Sequence, residues 1–244
     1  TPLTAKGVKF VSPLLVYLTL NVKKSLKTPL MSTCLSFFFG LLLTYSLKYL
    51  VNNDDSIMND RLFEKVAEND RFVAYRNNYC LPIAYSVSEE VEKWITTGSN
   101  PFEIQNDYWT RATDAGDVFK RVSATTYSTK NIRSDDELLT ENFSYNKEIT
   151  GQEGSIVIKY EIPESQNVYL YTDCKSADTI NVSGTNGFSK SQDPSDPYVL
   201  DCGYLEKGEI LTLEITIPSD KESGYADIYA VGLDMNNFEA GYNK

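Results

Sequence analysis

The side chains of this chain that could perform acid–base or metal chemistry are carboxylates, because the sequence contains no histidine. Clusters of acidic residues occur in four places: Asp54-Asp55, Glu89-Glu90, Asp135-Asp136-Glu137, and Asp193-Pro194-Ser195-Asp196 with Asp201. Neighbouring residues of a strand point to opposite faces, and acids at a helix start are favoured by the helix dipole. The loop at 193–196 also lacks the ligand spacing and the glycine of an EF-hand. We therefore expect no catalytic residue, no metal and no cofactor in this chain.

The lack of histidine also excludes Ser-His-Asp and Cys-His catalysis and most transition-metal sites. The four cysteines include no closely spaced pair, so zinc-knuckle spacings are absent. Cys174 and Cys202 lie in or beside strand-like segments. Two interpretations are open for them: a disulfide, if the domain lies outside the cytoplasm, or two separate buried thiols.

Positive and negative charges are unevenly distributed along the chain. Residues 1–53 contain six lysines and no acid, whereas the remainder contains all 34 acidic residues against 17 basic ones (23 less six). Between Lys27 and Lys48 lie 20 uncharged residues, about the length that a helix needs to cross a bilayer. Basic residues tend to stay on the cytoplasmic side. The pattern predicts a basic cytoplasmic end, one membrane pass, and an acidic domain on the extracytoplasmic face.

A second interpretation of residues 28–47 stays open. Only the stretch from Phe37 to Leu43 is densely apolar, and several serines and threonines surround it, so the run also fits a buried strand pair of a soluble fold. For the acidic remainder, we expect no nucleic acid partner, because no basic stripe past residue 53 could neutralise phosphates.

Helix and strand signals alternate between residues 54 and 122. Residues 54–70 predict a loop and a short helix, and residues 71–87 predict a β-hairpin that turns at Asn77-Asn78. Ser88 is a suitable cap for a short helix. The segment Asn100–Asn106 predicts a longer helix that ends near Gly116, with Asn100 as its cap and proline at the first helical position.

From about residue 120 onward, short alternating strands follow one another, separated by turn residues. The predicted strands are Ser155–Ile162, Asn167–Asp173, Thr179–Ser183, Tyr198–Leu205, Glu209–Ile217 and Tyr225–Asp234, before a helical start at 236–244. This spacing predicts a β-sandwich or jelly roll. The expected fold is mainly β with a smaller α+β N-terminal part. The expected divisions are 1–53 (a basic apolar segment), 54–122 (an α+β subdomain) and 123–244 (the β-sandwich).

Four segments of the chain, taken together, resemble the C-terminal region of the YfhO-type bacterial membrane proteins. The segments are Leu47-Lys48-Tyr49-Leu50-Val51, Val73-Ala74-Tyr75-Arg76-Asn77-Asn78-Tyr79-Cys80-Leu81-Pro82-Ile83-Ala84-Tyr85, Asn100-Pro101-Phe102-Glu103-Ile104-Gln105-Asn106 and Gly203-Tyr204-Leu205-Glu206-Lys207-Gly208-Glu209, with Trp94 between the second and the third. The match covers about residues 45–240. The order and spacing of the segments carry it, since each motif alone is weak.

The resemblance implies the extracytoplasmic C-terminal part of a GT-C-type membrane glycosyltransferase. Such an enzyme moves a sugar from an undecaprenyl-phosphate carrier to a cell-envelope polymer of the teichoic acid type. Its catalytic carboxylates lie between early transmembrane helices, so this chain is expected to be accessory and non-catalytic. The implied partners are the membrane portion of the same protein and a lipid-linked sugar or cell-envelope glycan. Within this chain, candidate substrate-binding residues are Tyr79, Tyr85, Gln105 and Asn106. The alternative is a non-catalytic surface β-sandwich that binds carbohydrate or a partner protein.

Overall fold

The computed structural model describes residues 48–52, 61–81, 86–94, 98–136 and 141–244. The uncharged run 28–47 and Tyr85 lie outside the described residues, so both interpretations of that run stay predictions. Across the described ranges, no helix is long and apolar enough to span a bilayer. Antiparallel strands make up most of the fold, which confirms the mainly β architecture predicted from the sequence.

Three short strands form a small antiparallel sheet at the N-terminal end of the described chain. They are β1 (Tyr49–Asn52), β2 (Phe63–Glu68) and β3 (Val73–Asn77), in the order β1-β3-β2. The helix predicted within 54–70 is therefore wrong for its described part, which is β2. The hairpin is also displaced, because β3 pairs with β2 and the turn lies at Asn69. Asn69 Oδ1 accepts hydrogen bonds from the backbone N–H groups of Arg71 and Phe72, each at 2.9 Å, and so closes that turn locally.

Two larger antiparallel sheets form the predicted sandwich. The first contains, in spatial order, β11 (Ser189–Gln192), β10 (Thr179–Gly184), β13 (Ile210–Ile217), β8 (Gly154–Glu161) and β5 (Thr126–Lys130). The second contains β12 (Val199–Leu205), β9 (Gln166–Asp173), β14 (Ser223–Leu233), β7 (Asn142–Lys147) and β6 (Ile132–Arg133), and β4 (Phe119–Arg121) pairs with the far end of β14. The six strands predicted between residues 155 and 234 are all present, with ends within two residues of the prediction.

The core between these two sheets is filled by alternate residues of each strand. Along β13, every second side chain from Leu211 to Ile217 is fully buried, at 0% exposure, as the strict alternation in the sequence predicts. Val168 and Leu170 of β9 join the same cluster from the opposite sheet. Burial of each such side chain contributes about 1.5 to 3 kcal/mol, so this core fixes the register of the strands and the outward direction of their other residues.

Two α-helices and one 3₁₀ helix flank the sandwich: α1 (Pro101–Thr113), α2 (Met235–Tyr242) and the 3₁₀ helix Glu89–Lys93. The predicted cap of α1 is confirmed, because Asn100 Oδ1 accepts hydrogen bonds from the backbone N–H groups of Phe102 and Glu103 at 3.0 and 3.4 Å. The helix ends at Asp114, which has a left-handed φ of 51°. Ser88 caps the 3₁₀ helix, also as predicted.

Helices α1 and α2 cover part of the outer face of the second sandwich sheet. Phe102 of α1 and Phe238 of α2 lie in one buried cluster with Tyr169, Val231 and Leu233 of β9 and β14. The boundary predicted near residue 122 stays a prediction; β4, just before it, pairs with β14 inside the sandwich sheet. The start of α1 lies beside the middle of β14, because Ser99, just before the helix, shares a hydrogen bond with Tyr229.

Cys174 and Cys202 are separate buried thiols, which agrees with one of the two interpretations open from the sequence. Cys174 Sγ lies 3.7 Å from Ser176 Oγ, whereas Cys202 Sγ donates to the carbonyl of Leu200 at 3.9 Å. Burial raises the pKa of both thiols, so neither is a reactive thiolate at neutral pH.

Candidate functional site

Two carboxylates occupy directly opposite positions on the second sandwich sheet. Asp173 of β9 and Asp227 of β14 are cross-strand partners, so their side chains point to the same face of the sheet. Like charges that face each other across a strand pair destabilise a sheet. Packing gives no reason for this pair, which makes the surface around it the strongest candidate for a function.

Three tyrosines lie on the same face as the two carboxylates. Tyr171 and Tyr229 are also cross-strand partners, and their rings stack with centroids 6.1 Å apart and planes inclined at 20°. Tyr225 precedes Asp227 by two positions and is 51% exposed. We call this surface, formed by Tyr171, Asp173, Tyr225, Asp227 and Tyr229, the tyrosine platform.

Asp227 is the centre of a hydrogen-bond network on the tyrosine platform. Its Oδ1 accepts hydrogen bonds from the hydroxyls of Tyr225 and Tyr229, at 3.0 and 3.3 Å. Desolvation, assisted by Asp227, raises the pKa of Tyr225, and burial raises the pKa of Tyr229. Both hydroxyls therefore remain protonated at neutral pH and orient the Asp227 carboxylate. The other carboxylate of the pair has a basic neighbour, since Lys175 Nζ lies 3.8 Å from Asp173 Oδ2.

The start of helix α1 borders the tyrosine platform. Ser99 Oγ and the Tyr229 hydroxyl share a hydrogen bond of 3.1 Å, and Ser99 directly precedes the capping residue Asn100. The side chain of Tyr229 is only 3% exposed, because this helix start and its neighbours cover it. The predicted helix motif therefore helps to build the candidate site, although through a residue that the sequence had not singled out.

Two of the predicted substrate-binding residues lie on α1 and make contacts within the fold. Asn106 Oδ1 accepts hydrogen bonds from the backbone N–H groups of Val118 and Phe119 at 3.0 and 2.9 Å, and its Nδ2 donates to the Phe119 carbonyl at 2.9 Å. Gln105 Nε2 donates to the carbonyl of Pro101 at 3.2 Å. These bonds give Asn106 a structural task, which is to hold β4 against α1; substrate binding by either residue stays a prediction.

Tyr79, the third predicted residue, packs against α2. The Tyr79 hydroxyl donates to Glu239 Oε1 of α2 at 2.5 Å, and its ring packs edge-on against Phe238 and Tyr242 with centroids 5.0 and 5.1 Å away. Tyr85 lies outside the described residues. Tyr79 therefore joins the end of the three-stranded sheet to α2, whereas Gln105 and Asn106 make their contacts within α1 and with β4.

Two of the acidic places noted in the sequence make local contacts in the described part of the chain. Asp193 Oδ1 accepts hydrogen bonds from the backbone N–H and the hydroxyl of Ser195, at 2.9 and 2.8 Å, which closes a local turn. Glu90 pairs with Lys93 on the 3₁₀ helix at 2.7 Å. Within the described residues, no group of three cysteine or carboxylate side chains could hold a metal ion.

The tyrosine platform suits a ligand that has both apolar faces and hydroxyl groups. The exposed ring of Tyr225 and the partly exposed ring of Tyr171 can accept the C–H faces of such a ligand, whereas the Tyr229 ring is buried. The two carboxylates accept its hydrogen bonds. The five platform residues were missed in the sequence analysis. A signal for three of them, Tyr225, Asp227 and Tyr229, exists in the alternation along residues 225–229, where every second residue is polar or aromatic and the intervening ones are buried.

The fold and this face define a β-sandwich domain with an aromatic and acidic outer sheet surface. The profile of the family described as "Bacterial membrane protein YfhO" matches residues 10–244. The chain therefore belongs to the YfhO family of bacterial membrane proteins. No curated protein matches it.

Among solved structures, the chain resembles TmCBM61 in complex with beta-1,4-galactotriose, with 12% identity, a TM-score of 0.31, and coverage of 44% of this chain and 89% of that one. A carbohydrate binding module of family 29 gives 13% identity and a TM-score of 0.29, covering 47% of this chain and 86% of that one. A family two carbohydrate esterase from Cellvibrio japonicus gives 9% identity and a TM-score of 0.25, covering 45% and 35%. At such TM-scores no ligand is inferred from the likeness.

Proposed function

We propose that this chain is the accessory, non-catalytic part of a YfhO-type membrane glycosyltransferase, on the extracytoplasmic face, and that its tyrosine platform holds the glycan acceptor. The enzyme would transfer a sugar from an undecaprenyl-phosphate carrier to a cell-envelope polymer of the teichoic acid type. Membership of a bacterial membrane protein family supports the location at a membrane. The donor, the acceptor and the reaction rest on the resemblance to GT-C-type enzymes.

The observation that carries the binding proposal is the like-charged pair Asp173 and Asp227, placed beside three tyrosines on one sheet face. A pyranose ring packs its C–H groups on an aromatic face and donates its hydroxyls to carboxylates. A sugar that bridges the two carboxylates would offset part of their repulsion. A bound sugar therefore lowers the electrostatic cost that the two carboxylates impose on the folded chain.

Charge restricts the kind of glycan that the platform would hold. The chain has a formal net charge of −11 at pH 7, and the two platform carboxylates add a local negative field. Such a surface repels polyphosphate chains at long range. We infer that the platform receives a neutral or positively charged sugar unit rather than the phosphate backbone of the polymer.

Binding is tested by titrating the full chain with neutral hexose oligosaccharides, amino-sugar oligosaccharides and poly(glycerol phosphate), with isothermal calorimetry as the measurement. We expect heat from the first two classes, and loss of that heat in Tyr225→Ala and Asp227→Asn. Tyr127→Ala is the matched control, because Tyr127 is 47% exposed on the other sandwich sheet. Equal binding by all variants would reject the tyrosine platform as the site.

Catalysis by the remainder of the protein is tested separately. The chain alone should show no glycosyl transfer from an undecaprenyl-phosphate-linked sugar, and turnover by it would refute the accessory role. In the full-length membrane protein, Tyr225→Ala should raise the KM for the acceptor while leaving the KM for the donor unchanged. If transfer is unaffected although glycan binding is lost, the alternative holds, in which the sandwich is a binding module independent of the transfer reaction.

A further inference from the structure

The hydroxyl of Ser99 has a task outside the helix that it precedes. Capping of α1 is done by Asn100, whose Oδ1 accepts hydrogen bonds from two N–H groups of the first turn. Ser99 Oγ instead lies 3.1 Å from the hydroxyl of Tyr229, a residue of the tyrosine platform. The helix holds Ser99 in this place, because Phe102 in the first turn of α1 is 2% exposed and packs in the cluster that joins α1 to the second sandwich sheet.

The hydrogen bonds of this group run in one direction, from Ser99 to Asp227. Tyr229 has a single hydroxyl proton, which it donates to Asp227 Oδ1 at 3.3 Å. The Tyr229 oxygen therefore accepts the hydrogen bond of the Ser99 hydroxyl. Burial raises the pKa of Tyr229, so its proton stays in place at neutral pH. Ser99, Tyr229 and Asp227 thus form a chain of hydrogen bonds, and the bonds of such a chain strengthen one another.

The two tyrosine hydroxyls leave one oxygen of Asp227 for a ligand. Tyr225 and Tyr229 both donate to Oδ1, and in the described part of the chain no hydrogen bond reaches Oδ2. An ionised carboxylate accepts hydrogen bonds and donates none. The hydroxyl proton of Tyr225 is engaged with Asp227, so the Tyr225 oxygen is also left as an acceptor. The Asp227 end of the platform therefore meets a ligand with acceptors.

A ligand that faces acceptors must bring donors. A free sugar hydroxyl or a protonated amine donates to a carboxylate, and such charge-assisted hydrogen bonds are the strong ones. An O-alkylated sugar or a phosphodiester presents only acceptor oxygens to the same carboxylate. Lys175, the base beside Asp173, does not supply a fixed donor here, because its side chain is 74% exposed and its Nζ lies 3.8 Å from Asp173 Oδ2, beyond hydrogen-bond distance.

We propose that Ser99 is a positioning residue of the tyrosine platform, and that its hydrogen-bond chain through Tyr229 to Asp227 makes the platform select sugar units with unsubstituted hydroxyl or amino groups. Ser99 orients the Tyr229 hydroxyl, Tyr229 holds Oδ1 of Asp227, and Oδ2 is directed to the ligand. Units with the same ring but O-alkylated hydroxyls are rejected. This inference rests on the proposed glycan binding and specifies the class of glycan.

Titration calorimetry on the full chain with matched pairs of ligands tests the proposal. The probes are the β-1,4-linked trisaccharides of glucose, galactose and mannose, each beside its fully O-methylated form, which keeps the ring C–H faces but has no O–H donor. We expect at least one free trisaccharide to bind about tenfold more tightly than its methylated form. Ser99→Ala should weaken binding of the free form about fivefold and leave binding of the methylated form unchanged. Ser99→Thr, which keeps the hydroxyl, should restore the affinity.

A double variant separates this role from a merely structural one. In the Tyr229→Phe background, the further change Ser99→Ala should have no effect on affinity, because the hydrogen-bond chain is already broken. Ser128→Ala is the matched control, since Ser128 is exposed on β5 of the other sandwich sheet, and it should leave binding unchanged. Urea unfolding of Ser99→Ala should lie close to that of the unaltered chain, because Asn100 still caps α1.

Three other outcomes would overturn the inference. If methylated and free trisaccharides bind equally while Tyr225→Ala abolishes binding, the platform holds glycans without the selection proposed for it. If Ser99→Ala weakens binding of both forms equally, or Ser99→Thr does not restore the affinity, Ser99 only supports the fold. If the unaltered chain binds none of the trisaccharides, the proposed glycan binding is rejected together with this inference.

Discussion

The helix α2 end of the fold and the tyrosine platform both join tyrosine hydroxyls to carboxylates, and the charge balance of these two places differs. The first, which we call the helix junction, joins the three-stranded sheet to α2. There Tyr79 donates to Glu239, and Arg61 forms an ion pair with the same carboxylate at 2.8 Å. One acid is matched by one base and one hydroxyl, so the polar groups of the junction have partners within the fold.

The tyrosine platform has the same residue types in a different balance, because two carboxylates share one base, Lys175, whose Nζ lies 3.8 Å from Asp173 Oδ2. Its two carboxylates, Asp173 and Asp227, face each other across a strand pair. In the described part of the chain, Asp227 has tyrosine hydroxyls as partners but forms no ion pair. Balanced polar groups stabilise a fold, whereas an unbalanced set costs stability and is retained for another reason. The comparison assigns a structural role to the helix junction and a binding role to the platform.

The largest effect that separates the two places is on stability. Tyr79→Ala removes a ring that packs against Phe238 and Tyr242 and leaves Glu239 without its hydroxyl donor. We expect the free energy of unfolding to fall by about 2 to 3 kcal/mol. Tyr225→Ala, at the exposed edge of the platform, should change it by less than about 0.5 kcal/mol. Urea unfolding followed by circular dichroism measures the free energy of unfolding of both variants. Equal losses of stability in the two would contradict the assignment of a structural role to the helix junction and a binding role to the platform.

Sequence patterns were sufficient for the sandwich and insufficient for the site, and particular residues show why. The alternation of Leu211, Leu213 and Ile215 specifies a strand and its buried face locally, as does the Asn100 cap for α1. The pairing of Asp173 with Asp227 depends on β9 and β14 being neighbours, although they lie 54 positions apart in the sequence (227 less 173). Tyr79 drew attention through its motif, but its partner Glu239 is 160 positions away. Strand neighbours are set by the whole fold, which no local pattern contains.

A second test uses Tyr229, which belongs to the platform but is buried, unlike Tyr225. Its hydroxyl bonds both Asp227 and Ser99. Tyr229→Phe should lower the free energy of unfolding by about 1 kcal/mol, because two polar partners lose a buried hydrogen bond. Tyr225→Phe, whose hydroxyl is exposed, is the control and should have a smaller effect. Thermal unfolding measures the difference in stability between the two variants. A larger loss of stability in Tyr225→Phe than in Tyr229→Phe would contradict the assignment of Tyr229 as the buried hydroxyl and Tyr225 as the exposed one.

A third test uses the pH dependence of the helix junction. The hydrogen bond from Tyr79 and then Arg61 lower the pKa of Glu239 below its usual value of 4.5. A carboxyl whose pKa is lower in the folded state stabilises the fold above the unfolded-state pKa, and this contribution is lost as pH falls through the folded-state value. Stability should therefore decrease on acidification below about pH 4.5, and Glu239→Gln should decrease less over the same range. Denaturant unfolding between pH 3 and pH 7, with Glu103→Gln on the exposed side of α1 as control, measures the difference.

The smallest expected effect has the opposite sign and discriminates best between the two places. Asp173→Asn removes one member of the like-charged pair while keeping the side chain's shape, so the free energy of unfolding should increase by about 0.5 kcal/mol. Glycan binding should weaken in the same variant, because an amide accepts hydrogen bonds less strongly than a carboxylate does. Glu239→Gln at the helix junction should instead lower stability at neutral pH and leave glycan binding unchanged. Differential scanning calorimetry and titration calorimetry on the same samples measure the two quantities. A more stable Asp173→Asn variant that binds glycan normally would mean that the repulsion on the platform serves something other than glycan recognition.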